Sequence, residues 1–147
     1  MPRPFTDAQL RAILSRSPTI AVLGLHDDPD RPACYVPDYL HAQGYRILGA
    51  NPALAGQERF GETVRATLAE LPGPVDLVDV FRRPDAIPDH LDDVLAMRPL
   101  PRVVWFQLGV VHEAAAAALE AAGITVVQDR CTLADHDRLG LGAPSSA

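Results

Sequence analysis

Residues Thr19-Ile20-Ala21-Val22-Leu23-Gly24-Leu25 form a short apolar run broken by a glycine, and a polar turn, His26-Asp27-Asp28-Pro29-Asp30-Arg31, follows it. Pro32 then opens a helical pattern that Gly44 stops. Proline at the first helical position and glycine just past the last mark out an α-helix. Strand, tight turn and helix in that order begin the nucleotide-binding α/β folds. The first turn of such a helix carries unpaired N–H groups, a natural seat for phosphate.

The rest of the chain repeats the alternation. Thr6 to Ser15 reads as an opening helix, capped by Thr6, with Leu10, Ile13 and Leu14 on one face. Strands are predicted at Thr19–Leu25, Tyr45–Ala50, Val75–Phe81, Arg102–Leu108 and Ile124–Val127, with Asn51-Pro52 ending the second. Helices are predicted at about Pro32–Gln43, Asp85–Met97 and His112–Ala122, the last stopped by Gly123. Residues 53 to 61 read as loop, Glu62–Ala66 as a short edge strand, Thr67–Leu71 as one helical turn, and a polar tail begins after Leu139. Near-continuous Val/Ile/Leu strands alternating with helices indicate a doubly wound parallel sheet of the Rossmann-like α/β class, three layers in a single domain.

Composition narrows the function classes. A chain of 147 residues, 48% hydrophobic and 22% charged, suits one globular domain. The segment Met1 to Asp7 lacks the apolar core of a signal peptide, and no apolar run approaches a membrane span. Two cysteines, Cys34 and Cys131, are too few for a disulfide framework, so a cytoplasmic location is expected. A net charge of −6 argues against nucleic-acid binding. All 13 basic residues are arginine, which excludes Schiff-base chemistry and a Walker-type phosphate lysine. His26, His41, His90, His112 and His136 show no metal-ligand spacing, so no metal is expected.

In doubly wound sheets the ligand lies across the carboxyl ends of the strands, so the residues just after each strand identify it. An NAD site needs a GxGxxG turn and an acidic residue ending the second strand. Here Gly24 stands alone, and no Asp or Glu occurs between Asp38 and Glu58. Asn51-Pro52 supplies no arginine for the 2′-phosphate of NADP. Ordinary dinucleotide dehydrogenase chemistry is therefore not expected.

Five ordered segments carry a specific resemblance: Ile20–Leu25 with Asp28–Pro32, Asn51-Pro52, Val75–Arg83, Val104–Gly109, and Asp129-Arg130-Cys131. Together they resemble the stand-alone CoA-binding proteins, which are similar to the CoA-binding domain of succinyl-CoA synthetase α subunits and ADP-forming acyl-CoA synthetases. The match runs from about Ser17 to Leu139. The resemblance implies CoA or acyl-CoA as ligand, its pyrophosphate near the loop that holds Gly24, Leu25, His26, Arg31, Pro32 and Ala33. The adenosine end is expected toward Asn51, Pro52, Val80, Phe81 and Arg82, and the pantetheine arm past Gln107, Leu108 and Gly109. The chain departs from the family's usual serines at His26 and Ala33, where the imidazole either weakens phosphate binding or replaces a lost donor.

Several residues carry a plainer reading beside the functional one. Gly24 either admits a phosphate or lets backbone segments pack closely; on the first reading a valine there blocks the ligand and spares the fold. Arg31 either meets the ligand or pairs with Asp27, Asp28 or Asp30. Arg82 and Arg83 point apart in an extended segment, so one meets a phosphate and the other faces solvent or Asp85. Asp76 and Asp79, three apart in a strand, project to opposite faces and read as structural. Trp105 reads as core and Cys34 as a small buried hydrophobe. Arg130 favours a Cys131 thiolate and Asp129 opposes it.

The expected function is non-catalytic binding of a small nucleotide ligand. The alternatives are a small nucleotide-dependent oxidoreductase or transferase with His26 or Cys131 as reactive group, or a subunit docking onto a separate acyl-CoA synthetase. A partner enzyme subunit and a second copy of the chain are the candidate protein partners.

Overall fold

A computed structural model describes residues 3–145. Five parallel strands, β1 (Thr19–Leu23), β2 (Arg46–Ala50), β5 (Leu77–Val80), β6 (Val103–Phe106) and β7 (Thr125–Val127), form one sheet in the order β2-β1-β5-β6-β7. A separate antiparallel pair, β3 (Glu58–Arg59) and β4 (Glu62–Thr63), stands beside it. The order reverses between β1 and β5, which makes that junction the switch point of the fold.

Side chains alternate across the strands and feed two cores. On one face Ile20, Val22, Ile47, Leu77 and Trp105 pack with Leu10 and Leu14 of α1 (Asp7–Ser15) and Val36 and Leu40 of α2 (Pro32–Ala42). A further helix, α5 (Thr132–Arg138), packs against α1 and α2 on this side. On the other face Leu23, Leu48, Val78, Val104 and Phe106 meet Val94 of α3 (Leu91–Leu95) and Ala115, Ala116 and Leu119 of α4 (Glu113–Ala121). The three layers expected from the sequence are thus present. Among the described residues no helix is long and apolar enough to cross a membrane.

Local chemistry sets the helix ends. Thr6 and Gln9 form a reciprocal capping box at the start of α1. Pro32 occupies the first position of α2, and no side chain caps that N-terminus. Gly44 follows α2 at φ 105° and Gly123 follows α4 at φ 90°, left-handed positions that close both helices.

Four sequence expectations are corrected. Asp85–Met97 is not one helix: a 3-10 helix covers Pro84–His90, with Pro88 inside it, and only Leu91–Leu95 is α-helical. Thr67–Leu71 is a single turn between bends, closed by the Leu71 N–H donating to the Leu68 carbonyl at 3.1 Å and not continued as a helix, while the Asp93 carboxylate accepts the N–H groups of Leu68 and Ala69. Within the predicted 53–61 loop lie the end of a 3-10 turn, Pro52–Leu54, and β3. Of Glu62–Ala66, Glu62–Thr63 pairs with β3, and Arg65 alone bridges to Ala50 of β2.

The tail after Leu139 is anchored. His136, itself buried, accepts from the Tyr39 hydroxyl at 2.8 Å through Nδ1 and donates through Nε2 to the Gly142 carbonyl at 2.7 Å. Further on, the Ser145 N–H donates to the Ser15 carbonyl. The parts of the sequence reading that fall on Met1, Pro2, Ser146 and Ala147 lie outside the described residues.

Candidate functional site

A cleft of about 570 Å³ opens where the carboxyl ends of β1, β5 and β6 meet the N-terminus of α2. Its wall on the α2 side is the turn after β1. His26 Nδ1 accepts the Asp28 N–H at 3.0 Å, and Asp28 Oδ1 accepts the Asp30 N–H at 3.0 Å, so the turn is tied by its own side chains. With Nδ1 accepting, the neutral His26 ring carries its proton on Nε2 and has a donor to offer. Arg31 lines the cleft but sits 3.9 Å from Asp28 Oδ2, a partner that offsets its charge. Pro32 and Ala33 complete this wall.

Gly24 shows why the first strand ends in glycine. Its φ is +89°, and a Cβ built there would lie 2.6 Å from the Phe81 carbonyl oxygen and 3.3 Å from Arg82 Nε. The close approach is therefore to the end of β5 as much as to any ligand. The expectation that a valine at this position leaves the fold intact is corrected: it forces apart two strand ends.

On the β5 side, Phe81, Arg82 and Arg83 all reach the cleft. The two arginines differ. Arg83 is largely exposed and lies 3.6 Å from Asp85. Arg82 has no carboxylate partner among the described residues, and its Nε, shut off from solvent, has no hydrogen-bond acceptor. Its charge is felt at His90, whose pKa is lowered first by burial and then by Arg82.

At the end of β6, Gln107, Leu108 and Gly109 lie in the wall. Gly109, at φ 84°, donates to Asp129 Oδ1 at 2.7 Å, which ties the turn after β6 to the segment that follows β7. Leu108 is 72% exposed and Tyr35, on α2, is 45% exposed. Among the described residues these are the large hydrophobic side chains most open to solvent, and both line this cleft. Gln107 is instead turned inward onto Asp79 and Thr132, at 2.6 and 2.9 Å.

Asn51 lines the cleft, but its side chain is held: Nδ2 donates to the Leu25 carbonyl at 2.7 Å and Oδ1 accepts the Ala53 N–H at 2.9 Å. It ties the ends of β1 and β2 together. Leu25, Pro52 and Val80 fall outside the cleft lining. Val80 is buried because the alternation of β5 sends its side chain into a core; Leu25, past the end of β1 and just after the left-handed Gly24, is buried in the same core as Ile20 and Val22; and Pro52 begins the 3-10 turn after β2.

Four residues outside the expected set join the lining: Tyr35, Pro84, Val110 and Cys131. Tyr35 follows Arg31 and Pro32 by four and three positions on the start of α2, a helical spacing that the sequence offered. Cys131 closes the Asp129-Arg130-Cys131 segment of the resemblance and is the reactive group of the enzyme alternative, without being among the expected ligand contacts. Burial raises its thiol pKa, and the nearby Asp79 charge raises it further, so the protonated thiol is favoured.

Asp76 and Asp79 engage separate partners. Asp76 accepts the Thr19 N–H at 2.9 Å and lies 3.6 Å from Arg102. Asp79 is wholly buried and burial pushes its pKa up to about 7, although hydrogen bonds from Gln107 and Thr132 pull the other way. Trp105 is core, with its Nε1 donating to the Arg130 carbonyl at 2.7 Å. Cys34 is buried in the first turn of α2 and outside the cleft lining.

Comparison with known proteins places this geometry in context. A family profile described as a CoA binding domain matches residues 18–137. The uncharacterized protein YneT of Bacillus subtilis is 37% identical over 129 residues, covering 88% of this chain and 93% of YneT. The solved structure of cell-free ID.343 from Thermus thermophilus has a TM-score of 0.87 at 54% identity, over 92% of this chain and 99% of that one. A dinucleotide forming acetyl-coenzyme A synthetase of Ca. Korarchaeum cryptofilum, solved with phosphate and ADP, gives a TM-score of 0.65 at 18% identity. It covers 77% of this chain and 26% of the synthetase, a likeness of fold.

Proposed function

Because the chain belongs to the CoA binding domain family, we propose that it binds CoA or an acyl-CoA in this cleft and carries out no chemistry on it. The pyrophosphate lies over the turn after β1, against the uncapped N-terminus of α2, and Arg82 is its principal cationic contact. The observation that carries this reading is the state of Arg82. It is a guanidinium without a carboxylate partner among the described residues, in a protein of net charge −6, set at the mouth of a cleft where Arg31 and Arg83 both have acids nearby. The terminal nitrogens of Arg82 are not among the atoms shut off from solvent and have no acceptor among the described residues, so they are left to donate charge-assisted hydrogen bonds to an anionic oxygen. The helix dipole adds a smaller attraction for the same group.

The absence of an acid at the end of β2 and the missing second glycine weigh against NAD. The raised thiol pKa of Cys131 favours a binding role over a nucleophilic one. The direct test is to denature the purified protein and identify any released small molecule by mass. A thermal-shift series with CoA, acetyl-CoA, dephospho-CoA and NAD complements it. Stabilisation by CoA and not by NAD is the expected result, reaching about 2.7 kcal/mol at one hundred times Kd. Stabilisation by NAD with no response to CoA would overturn the reading.

A further inference from the structure

Three polar side chains from three elements converge beneath the cleft. Asp79 of β5 and Thr132 of α5 are fully buried, and Gln107, just past β6, is 5% exposed. Gln107 Nε2 donates to Asp79 Oδ1 at 2.6 Å and to Thr132 Oγ1 at 2.9 Å. The Thr132 hydroxyl donates to Asp79 Oδ2 at 2.9 Å. With the carboxylate ionised, three protons meet three acceptors and each is used once. One polar atom of the group is left over, Gln107 Oε1. It has no partner among the described residues, yet it is not among the buried atoms shut off from solvent, and Gln107 lines the cleft.

Resting on the CoA reading above, we propose that the Asp79–Gln107–Thr132 triangle is a positioning device that holds the Gln107 carbonyl toward the cleft as an acceptor for a pantetheine amide N–H. Two arguments support it. Rotating the Gln107 amide would set its oxygen against a carboxylate and a hydroxyl whose proton is already committed, so the amide is held in one orientation. A free glutamine can pair with both a donor and an acceptor on the edge of adenine. A glutamine whose nitrogen is fully engaged can only accept. It suits a lone N–H donor, which the secondary amides of the pantetheine arm supply.

Stability gives no reason for the arrangement. A buried carboxylate without a cation is expensive, and apolar residues of similar volume commonly serve a core as well or better. In sheet register Asp79 lies between Val22 and Trp105, positions that an apolar side chain would fill.

The test compares two ligands at pH 8 by calorimetry: CoA, and adenosine 3′-phosphate 5′-diphosphate, which lacks the pantetheine arm. Asp79→Asn adds donors and removes an acceptor, so an N–H has to turn toward the cleft. It is expected to weaken CoA about tenfold, roughly one mismatched hydrogen bond, and to leave the arm-less nucleotide within about twofold. Thr132→Val should act in the same direction, and Thr132→Ser, which keeps the hydroxyl, should retain wild-type CoA affinity. The valine–serine pair decides the matter if Asp79→Asn fails to give a cooperative melt. Equal losses for both ligands, or CoA binding unchanged in folded Thr132→Val, would overturn the positioning role. A wild-type protein that binds the arm-less nucleotide but gains nothing from the arm would overturn it as well. A wild-type protein that binds neither ligand overturns the CoA reading itself, and the proposed occupant of Gln107 with it.

Discussion

Replacing Asp79 by asparagine isolates the energetic consequence of burying one carboxyl group in the centre of the sheet. In the folded protein burial pushes Asp79 from an ordinary value of 3.8 up to about 7. Between those two values the native state holds a proton that the unfolded chain has released. Stability then falls as pH rises, because the unfolded state binds fewer protons there. The contribution is fully present below about pH 4 and is lost by the time pH has passed through about 7. The interval corresponds to roughly 4 kcal/mol, at 1.36 kcal/mol for each tenfold change in proton affinity. Asp79 is completely buried, so screening by solvent does not reduce this figure. The assay is urea denaturation of wild type and Asp79→Asn at closely spaced pH values from 4 to 8. Every other titrating group is common to both proteins and cancels in the difference, including His90 with its lowered pKa and Glu62, whose carboxyl is lowered by Arg46. The wild-type-minus-variant stability is expected to drop by roughly 4 kcal/mol across that range. Parallel profiles would refute the argument and mean that the Asp79 carboxyl is solvated or paired in a way the geometry does not show.

Other outcomes follow from the cleft and its supports. Arg82→Ala should weaken CoA by roughly ten- to a hundredfold, the worth of one charge-assisted hydrogen bond, and Arg83→Ala should change it by less than about twofold, since the pairing with Asp85 is exposed. If dephospho-CoA binds wild type and Arg82→Ala equally well, Arg82 meets the 3′-phosphate and not the pyrophosphate. Gly24→Val should lower folding stability as well as affinity, by more than the roughly 1–2 kcal/mol of a left-handed backbone alone, because its Cβ would also displace the Phe81 carbonyl; a wild-type urea midpoint would contradict this. Trp105→Phe should cost about 1–3 kcal/mol, since the partly buried Arg130 carbonyl loses its donor, and a shift of the urea midpoint reads it.

The parts of the fold that were legible in the sequence are those encoded within one element. The apolar runs around Val22, Val78 and Val104 announced buried parallel strands, and Thr6, Pro32, Gly44 and Gly123 announced helix ends by their own conformational preferences. What escaped depends on partners far along the chain. Thr132–Arg138 is short and polar, and although Arg130 grips Asp135 locally with two bonds of 2.7 and 2.8 Å, its helix is also fixed by buried His136 bonded to Tyr39, 97 residues earlier. Strand-end position alone could not tell a cleft residue from a core one: Phe81 turns to the cleft while Val80, one residue earlier, turns to the core. From the sequence Asp79 reads only as structural. Its partners, 28 and 53 residues away, could be seen only in three dimensions.

The way the sheet is finished at its two margins bears on how the protein keeps from sticking to itself. An unpaired strand is a template for another chain. On the β2 side the Arg65 N–H donates to the Gly49 carbonyl and the Asn51 N–H to the Arg65 carbonyl, so the carboxyl half of the strand is already occupied. Arg46, at its other end, is held by Glu62 at 2.7 Å, which sets charge where a neighbouring strand would need to slide in. On the opposite margin β7 has only three residues, too few to dock a partner strand firmly. The 58–65 segment therefore guards against fibril-like growth although it lends no side chain to the cleft, and shortening it should raise light scattering in concentrated solution before it alters ligand affinity.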